Sequence, residues 1–294
     1  NWMMWLVGVN ASTFDIKFLL LRIIFAASLG LSVLVITRAI APSAMVAISA
    51  PFIGYFIYMV NHPNIFTLCY APLISLAWLK VIYAEDERFR LRWVAGLMLA
   101  NWLVINSGTA KQAYMAIVVL NAIGILHFMV EKSRFGGKFK TWSGLLAASG
   151  VCFLMIAAPL WGTFLDTLRS GTSNYDSPDV QQYPFWFFLG FVDNFFYLLR
   201  TDRYSPAVNA LLFVGFLLGI VYIPRLESPQ ARRSAVVLAL GCGMLIAIAF
   251  GVIPAKWLLA IPYINNIRGV YDCFSTILIV PVSILAGIGF AGID

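Results

Sequence analysis

The chain has 294 residues, of which 61% are hydrophobic and only 11% are charged, and its net charge is +7. A soluble domain of this size does not need so much apolar surface. Apolar runs of about 20 residues, the length that crosses the hydrocarbon of a bilayer as a helix, recur along the sequence. The composition therefore excludes a soluble globular protein and predicts an all-α fold, a polytopic transmembrane helical bundle.

The apolar runs predict about nine membrane-spanning helices in a single transmembrane domain that covers residues 1–294. Residues 1–14 are aromatic and apolar but too few to cross a bilayer, which indicates an interfacial or re-entrant piece. The chain starts at Asn1 without a signal peptide, and we expect it to be a segment of a longer protein. The predicted spans are 18–37, 43–60, 64–83, 93–106 (with an extension into SGTAKQ), 113–130, 142–161, 206–224, 234–253 and 272–291.

The longest connection is residues 162–205, between the sixth and seventh predicted spans. Its middle, TSNYDSPDVQQYPFWFF, mixes Asp, Gln and Asn with a cluster of aromatic residues. This composition predicts an outer-face loop that forms a small lid, with an amphipathic helix on the membrane surface over residues 185–199.

Basic residues are distributed unevenly between the predicted connections. Four connections that alternate consistently with nine spans hold most of them, which predicts that these connections are cytoplasmic. Residues 1–15 and 162–205 are then on the outer side. The asymmetry explains the basic character of the chain as a topology signal, so no nucleic-acid partner is expected. The basic residues in the four connections are Arg38, Lys80, Arg88, Arg90, Arg92, Lys132, Arg134, Lys138, Lys140, Arg225, Arg232 and Arg233.

A short polar segment, Ile261–Asp272 (IPYINNIRGVYD), stands between two long apolar runs. Polar groups at such a position are usually buried in protein or line a water-filled cavity. Arg268 has the planar fork that binds a phosphate bidentately, and Tyr271 and Asp272 follow it closely. Because Arg268 and Asp272 are four residues apart, they share a helix face, and the alternative is an ion pair that fixes the start of the helix.

Two further candidate binding segments are predicted on the outer side. His62, in NHPNIF, follows the second span, where it would carry a proton or bind a phosphate oxygen; the alternative is a histidine that caps a helix. Lys111 and Gln112, in NSGTAKQAY, open a helix whose backbone N–H groups favour an anion. The alternative for Lys111 is contact with lipid headgroups. Arg22, one turn inside the first span, either extends to the interface or faces an internal cavity.

Sequence motifs for nucleotide binding and hydrolysis are absent from the chain. It has no P-loop, no GxGxxG opening a helix, no HExxH and no GxSxG, so hydrolysis of ATP by this segment is not expected. Asp166, Asp176 and Asp179 would offer a base or a metal ligand, but no pair has a diagnostic spacing, and aspartates in loops are usually solvated.

The sequence resembles the YfhO-like bacterial membrane proteins, which belong to the GT-C superfamily of polytopic glycosyltransferases. The most specific point of resemblance is Pro262, Arg268 and Tyr271 ahead of the last apolar run, which ends in LAGIGF. The stretches that carry the resemblance, in chain order, are NHPNIFTLCYAPLISLAWLKV, SGTAKQAYMAIVV, YSPAVNALLFVGFLLGI and IPYINNIRGVYDCFSTILIVPVSILAGIGF.

The resemblance implies an enzyme of the cell envelope, in the bacterial cytoplasmic (inner) membrane. It would move a sugar from a polyprenyl-phosphate-linked donor to an acceptor at the outer face. Contacts to the lipid phosphate or sugar are expected from Arg268, Lys111 and His62, with Gln112, Tyr271 and Asp272 completing the site.

The catalytic residues are not assigned. In such enzymes the catalytic acidic residues lie in the first outer loop, which would precede Asn1, and this chain has no DxD motif. We therefore expect this segment alone to be inactive. No cofactor is visible, and a divalent metal would have to bind through residues outside this segment.

Other functions fit parts of the same pattern. A transporter or flippase of a lipid-linked or anionic solute would line its pathway with the same outer cations. An O-antigen-type polymerase or ligase also uses a large outer loop and arginines, and a purely structural membrane subunit is a further alternative. Transporters tend to place charged residues near mid-span, whereas here the charges collect at the span ends, which favours an enzyme acting at the interface.

Overall fold

The structure, a computed structural model, describes residues 11–58, 62–170, 188, 190–191, 208–260 and 270–293. Every regular element in these ranges is a helix. Seven helical segments are long and apolar enough to cross a membrane. The predicted all-α transmembrane bundle is therefore confirmed as the fold class.

The described α-helices are labelled in chain order, and three short 3-10 helices connect some of them. These 3-10 helices are Ala50–Phe52, Lys132–Lys138 and Ile223–Arg225. The α-helices are α1 (Ala11–Thr37), α2 (Ile40–Ser49), α3 (Gly54–Tyr58), α4 (Asn64–Tyr83), α5 (Glu87–Ile105), α6 (Ala110–Val130), α7 (Phe139–Ser170), α8 (Ala210–Val221), α9 (Pro229–Ala249), α10 (Ala255–Leu259) and α11 (Val270–Ala291).

Polar contacts join the four connections that were predicted to share one side of the membrane. Arg38 pairs with Glu85, Lys138 with Glu87, and Arg134 donates to Gln230. We term this region, formed by the connections 37–40, 83–87, 130–139 and 221–229, the basic end. The other end, where α4, α6 and α11 begin, is termed the opposite end. The cytoplasmic location of the basic end stays a prediction.

Helix α11 is the axis of the bundle. Residues Cys273–Phe290 are all buried, and the helix packs against α8, α9, α1, α2, α6 and α4. A helix that is apolar on every face is expected to be enclosed by other helices. The last residues of the polar segment, Tyr271 and Asp272, are in the first turn of this helix, and residues 261–269 lie outside the described ranges.

Helices α8 and α11 approach each other closely through glycines. A Cβ atom on Gly289 would lie 2.1 Å from the carbonyl oxygen of Gly215, and one on Gly219 would lie 2.5 Å from the carbonyl oxygen of Leu285. Small residues four apart allow helix backbones to meet in this way within membranes. Each of these glycines is therefore required by packing.

Helix α8 is shorter than the predicted span 206–224. It has 12 residues, or roughly 18 Å of helix, against about 30 Å of hydrocarbon. The Asn209 side chain accepts a hydrogen bond from the Leu212 N–H at 3.0 Å and fixes the start. Pro224 lies in the 3-10 helix that follows the α-helix. The predicted length was wrong because these local signals limit the helix.

Helix α5 is displaced towards the N-terminus relative to the predicted span 93–106. It begins after Asp86, whose carboxylate accepts a hydrogen bond from the Phe89 N–H at 3.0 Å. It ends before Gly108, which has a φ of 61°. The expected extension into SGTAKQ is therefore wrong, because a left-handed residue ends the helix there.

The predicted span 43–60 is interrupted. The 3-10 helix Ala50–Phe52, which contains Pro51, separates α2 from α3. Arg22 Nη2 donates to the carbonyl oxygen of Phe56 at 3.1 Å, and the guanidinium lies over the rings of Phe18 and Phe56. Arg22 is partly buried, and its guanidinium is held against α3, so the two alternatives for this residue stay predictions.

Helix α7 continues past Gly162 to Ser170, so the predicted outer loop at 162–205 begins later than expected. A single glycine costs a helix only about 1 kcal/mol, and no proline follows it before Ser170. Beyond Ser170, the predicted loop lies outside the described residues except for 188, 190 and 191, and so does most of the predicted amphipathic helix at 185–199.

Candidate functional site

The predicted site residues that the structure describes lie at the opposite end of the bundle. His62 immediately precedes α4, and Lys111 and Gln112 are in the first turn of α6. Tyr271 and Asp272 are in the first turn of α11, but their side chains are not among the described ones, and Arg268 lies outside the described residues. Their roles in binding stay predictions.

Gln112 is the most deeply buried of the predicted residues whose side chains are described, with 1% of its surface exposed. Its Nε2 donates to the carbonyl oxygen of Cys273 in α11 at 3.4 Å. Its Oε1 is buried and finds no hydrogen-bond donor in the described part of the chain. A buried acceptor without a donor costs about 1–3 kcal/mol. The contact also places the start of α6 beside the start of α11.

His62 and Lys111 interact electrostatically. Partial burial, and then the charge of Lys111, lower the pKa of His62 below its ordinary value of 6.5. Its Nδ1 accepts a hydrogen bond from the Asn64 N–H at 3.3 Å. The neutral ring therefore carries its proton on Nε2, and His62 is available as a hydrogen-bond donor at neutral pH instead of a cation.

The turn between α5 and α6 is fixed against the start of α4. Thr67 Oγ1 donates to the carbonyl oxygen of Ser107 at 2.9 Å, and Thr109 Oγ1 donates to Asn64 Oδ1. A Cβ atom on Gly108 would lie 2.5 Å from the carbonyl oxygen of Pro63, so glycine is needed there for space as well as for its positive φ. These contacts hold the His62 and Lys111 segments in one arrangement.

Polar side chains in the middle of the bundle bond to one another. Trp78 Nε1 donates to Asn121 Oδ1 at 2.9 Å, and Asn121 Nδ2 donates to Asn101 Oδ1 at 2.7 Å. Asn101 Nδ2 donates to the carbonyl oxygen of Leu97 in its own helix. These groups satisfy each other and stabilise the contacts between α4, α5 and α6.

A second polar cluster, at the basic end, was not predicted as a site. The Tyr83 hydroxyl lies 2.8 Å from both His127 Nε2 and Ser234 Oγ, and it donates to Glu131 Oε1 at 3.3 Å. His127 is 3% exposed and the Glu131 side chain is fully buried. The signal in the sequence is a histidine within an apolar helix, four residues before a glutamate, since ionisable groups in such positions are usually functional or paired.

Glu131 is the anionic centre of this cluster. Arg134 Nε donates to Glu131 Oε2 at 2.8 Å. Arg233 Nε lies 2.8 Å from Glu131 Oε1, in an ion pair that lacks the angle of a hydrogen bond. Arg134 also donates through Nη2 to Gln230 Oε1 at 3.0 Å. Two arginines share one carboxylate, so the cluster has an excess of positive charge.

A cavity of about 390 Å³ adjoins these arginines at the basic end. Its lining includes three arginines and two hydroxyl groups. Among the described residues, no three His, Cys, Asp or Glu side chains come together as metal ligands. The full lining is Ile36, Thr37, Arg38, Arg134, Ser228, Pro229, Gln230 and Arg233.

Comparison with known proteins gives no relative: no family model, no curated protein and no solved structure matches the chain.

Proposed function

We propose that the chain is part of an integral membrane glycosyltransferase of the YfhO-like GT-C type, which uses a polyprenyl-phosphate-linked sugar as donor. The observation that carries this proposal is the position of Gln112. Its buried Oε1, which has no hydrogen-bond donor among the described residues, lies at the start of α6, next to Lys111 in sequence, and its Nε2 contacts the start of α11. A polar acceptor thus contacts α11, the helix that follows the polar segment in the sequence, and a cation is its neighbour in the chain.

Each residue of this site has a specific task in the proposed reaction. Lys111 and Arg268 stabilise the negative charge that develops on the leaving phosphate. His62 donates a hydrogen bond from Nε2, because its Nδ1 is already an acceptor. Gln112 Oε1 accepts a hydrogen bond from a sugar hydroxyl. The base that deprotonates the acceptor comes from residues outside these segments.

A transporter of a lipid-linked or anionic solute is the second candidate, because the predicted span 43–60 is interrupted beside Arg22. Transporters often build substrate sites from discontinuous helices. In this chain Arg22 Nη2 already donates to the carbonyl oxygen of Phe56. The mid-bundle groups Trp78, Asn101 and Asn121 also bond to one another. The mid-bundle groups are satisfied, whereas Arg22 Nε is buried and has no hydrogen-bond partner among the described residues. The enzyme is favoured because His62, Lys111 and Gln112 all lie at the opposite end of the bundle.

The test is sugar transfer from a polyprenyl-phosphate sugar in membranes that contain the full-length protein. Lys111→Gln and Arg268→Ala are compared with wild type at matched expression. Lys132→Gln is the control, since Lys132 is an exposed cation at the basic end. We expect each site variant to lower the rate at least about tenfold, which corresponds to roughly 1.4 kcal/mol of transition-state stabilisation, with the control unchanged.

Other outcomes would change the conclusion. If the folded wild-type protein transfers no sugar but moves the lipid-linked donor across the bilayer, the transporter is correct. If transfer occurs and neither Lys111→Gln nor Arg268→Ala affects it, the protein is an enzyme but its site is elsewhere.

A further inference from the structure

We propose that the basic end binds an anionic phospholipid, with its phosphate in the arginine-lined cavity and an acyl chain in an adjoining apolar groove. This site is at the other end of the bundle from the predicted sugar-transfer site and does not depend on the proposed function.

The charges around the cavity require an anion. Arg38, Arg134 and Arg233 line it together with Ser228, whereas the Thr37 hydroxyl in the same lining already donates to the carbonyl oxygen of Val33. Within the described part of the chain, the carboxylate that contacts Arg134 and Arg233 is that of Glu131. Cations that share a single buried carboxylate retain capacity for a further anion, and the planar fork of arginine matches phosphate oxygens.

Arg38 is available to a ligand at little cost. Its contact with Glu85 is 3.4 Å long, and both side chains are largely exposed, at 75% and 87%. An exposed pair of this kind contributes about 0–1 kcal/mol, so a lipid phosphate replaces Glu85 easily.

Arg90, also at the basic end, has a structural role, and its side-chain contacts differ from those of Arg38. Its Nε donates to the carbonyl oxygen of Val81 at 3.0 Å, and its Nη2 donates to that of Ala84. The guanidinium also packs over the rings of Phe135 and Trp142. Arg90 is therefore occupied in closing the end of α4, whereas among the described residues the Arg38 guanidinium forms only the exposed contact with Glu85.

The apolar groove identifies the ligand as a lipid. It has a volume of about 310 Å³ and lies between α6 and α9. Arg233 lines both the groove and the arginine-lined cavity, so a molecule with a phosphate and a hydrocarbon chain would occupy the two together. The groove is lined by Leu126, Val130, Arg232, Arg233, Val236, Val237 and Leu240.

The backbone at Arg38 supports a role for its side chain. Arg38 has a φ of 59°, in the left-handed region, and its N–H donates to the carbonyl oxygen of Leu34 at 2.9 Å to close α1. Glycine is the residue that this conformation favours, and other residues pay a conformational penalty there. Strain of this kind is concentrated at binding sites.

The experiment measures lipid binding to the purified full-length protein in non-ionic detergent by native mass spectrometry. Phosphatidylglycerol is compared with phosphatidylcholine for wild type, Arg38→Gln, Arg38→Gln with Arg233→Gln, and Lys132→Gln. Removal of each arginine should weaken binding of phosphatidylglycerol about fivefold, since a cation near a lipid surface contributes about that factor. Lys132→Gln, which removes an exposed cation outside the cavity lining, should bind as wild type.

Two further measurements distinguish binding of a lipid from binding of a free phosphate compound. Val236→Trp fills the apolar groove without a change of charge, and Val236 is 41% exposed, so the fold tolerates the substitution. The proposal requires that Val236→Trp weakens phosphatidylglycerol binding, and that soluble glycerol 3-phosphate competes poorly with the lipid. If the double variant does not fold, the single variant Arg38→Gln, at an exposed position, tests the contribution of the arginines to lipid binding.

Three results would overturn the proposal. The first is equal binding of the two lipids by wild type. The second is binding of phosphatidylglycerol that neither Arg38→Gln nor Val236→Trp changes. The third is strong competition by glycerol 3-phosphate that Val236→Trp leaves unaffected, which would assign the cavity to a free phosphate compound.

Discussion

The Tyr83 hydroxyl group and Nε2 of His127 lie 2.8 Å apart, and this contact joins the ends of α4 and α6. The same hydroxyl lies 2.8 Å from Ser234 Oγ in α9. Three helices that are distant in the sequence are thus tied together at the basic end. Because a hydroxyl group has one proton and two lone pairs, it can donate to Glu131 and accept from the histidine and the serine at once.

Removal of this hydroxyl should destabilise the protein. In Tyr83→Phe, His127 and Ser234 keep only the contact between themselves at 3.2 Å, and Glu131 loses a donor. We expect the free energy of unfolding to fall by about 1–3 kcal/mol, the cost of buried polar groups that lose a partner. The measurement is equilibrium unfolding in mixed micelles of increasing SDS fraction.

Tyr222→Phe is the matched control for that prediction. The Tyr222 hydroxyl has no hydrogen bond to the part of the chain that the structure describes, and we expect a change within about 0.5 kcal/mol. Equal losses for Tyr83→Phe and Tyr222→Phe would show that the hydroxyl of Tyr83 does not organise this cluster.

The close approach of α8 and α11 makes a second prediction. In Gly289→Ala the new methyl group would meet the carbonyl oxygen of Gly215 and the backbone of Gly219, which cannot move aside as a side chain can. We expect a loss of about 1–3 kcal/mol in the free energy of unfolding, as for other overpacked cores. The same unfolding assay in micelles measures it.

Gly243→Ala provides the contrast for that prediction. Gly243 lies within α9, and a Cβ atom there meets nothing within 4 Å. Alanine is the better helix former by about 1 kcal/mol, so this variant should be as stable as wild type or more stable. If Gly289→Ala is equally harmless, the helices do not approach each other as closely as described.

Helix α11 shows which features of the fold can be predicted from the sequence and which cannot. Its apolar run predicts a helix at residues 272–291, and the observed helix, Val270–Ala291, begins two residues earlier and ends at the same residue. However, hydropathy does not distinguish a side chain that faces lipid from one that faces another helix, so the burial of Cys273–Phe290 was not predicted. Local signals, such as Asn209 at the start of α8, set helix ends that hydropathy windows miss.

The two polar sites differ in how far the sequence predicts them. Lys111 and Gln112 were predicted because they open a helix, and the structure adds the contact of Gln112 with Cys273. The cluster at the basic end was not predicted, because Glu131 and Arg233 are far apart in the sequence and charges in connections serve equally well as topology signals.

The electrostatic interaction of His62 with Lys111 predicts a titration. Because burial and the Lys111 charge lower the pKa of His62, it should titrate below 6.5, and Lys111→Gln should shift its pKa upward. NMR of protein labelled in its two histidines measures this, with His62→Asn to assign the signals. Lys132→Gln is the control and should leave the pKa of His62 unchanged.

The lowered pKa of His62 determines whether the free energy of unfolding rises or falls with pH. Between the pKa of His62 in the folded chain and 6.5, the unfolded chain binds more protons, so stability rises with pH through this interval. Lys111→Gln should reduce that slope. A His62 signal that does not respond to Lys111→Gln would mean that the two residues are not neighbours.

Arg38 ends α1 with a left-handed backbone conformation and also lines the cavity with its guanidinium, and two substitutions distinguish these roles. Arg38→Gly and Arg38→Gln both remove the guanidinium, but only glycine relieves the penalty at a φ of 59°. Arg38→Gly should therefore be more stable than Arg38→Gln by about 1 kcal/mol. Unfolding in SDS mixed micelles measures the difference.

Since both variants lose the same charge from the cavity, they should bind phosphatidylglycerol equally weakly. If Arg38→Gly were less stable than Arg38→Gln, the strain inferred at the end of α1 would be absent.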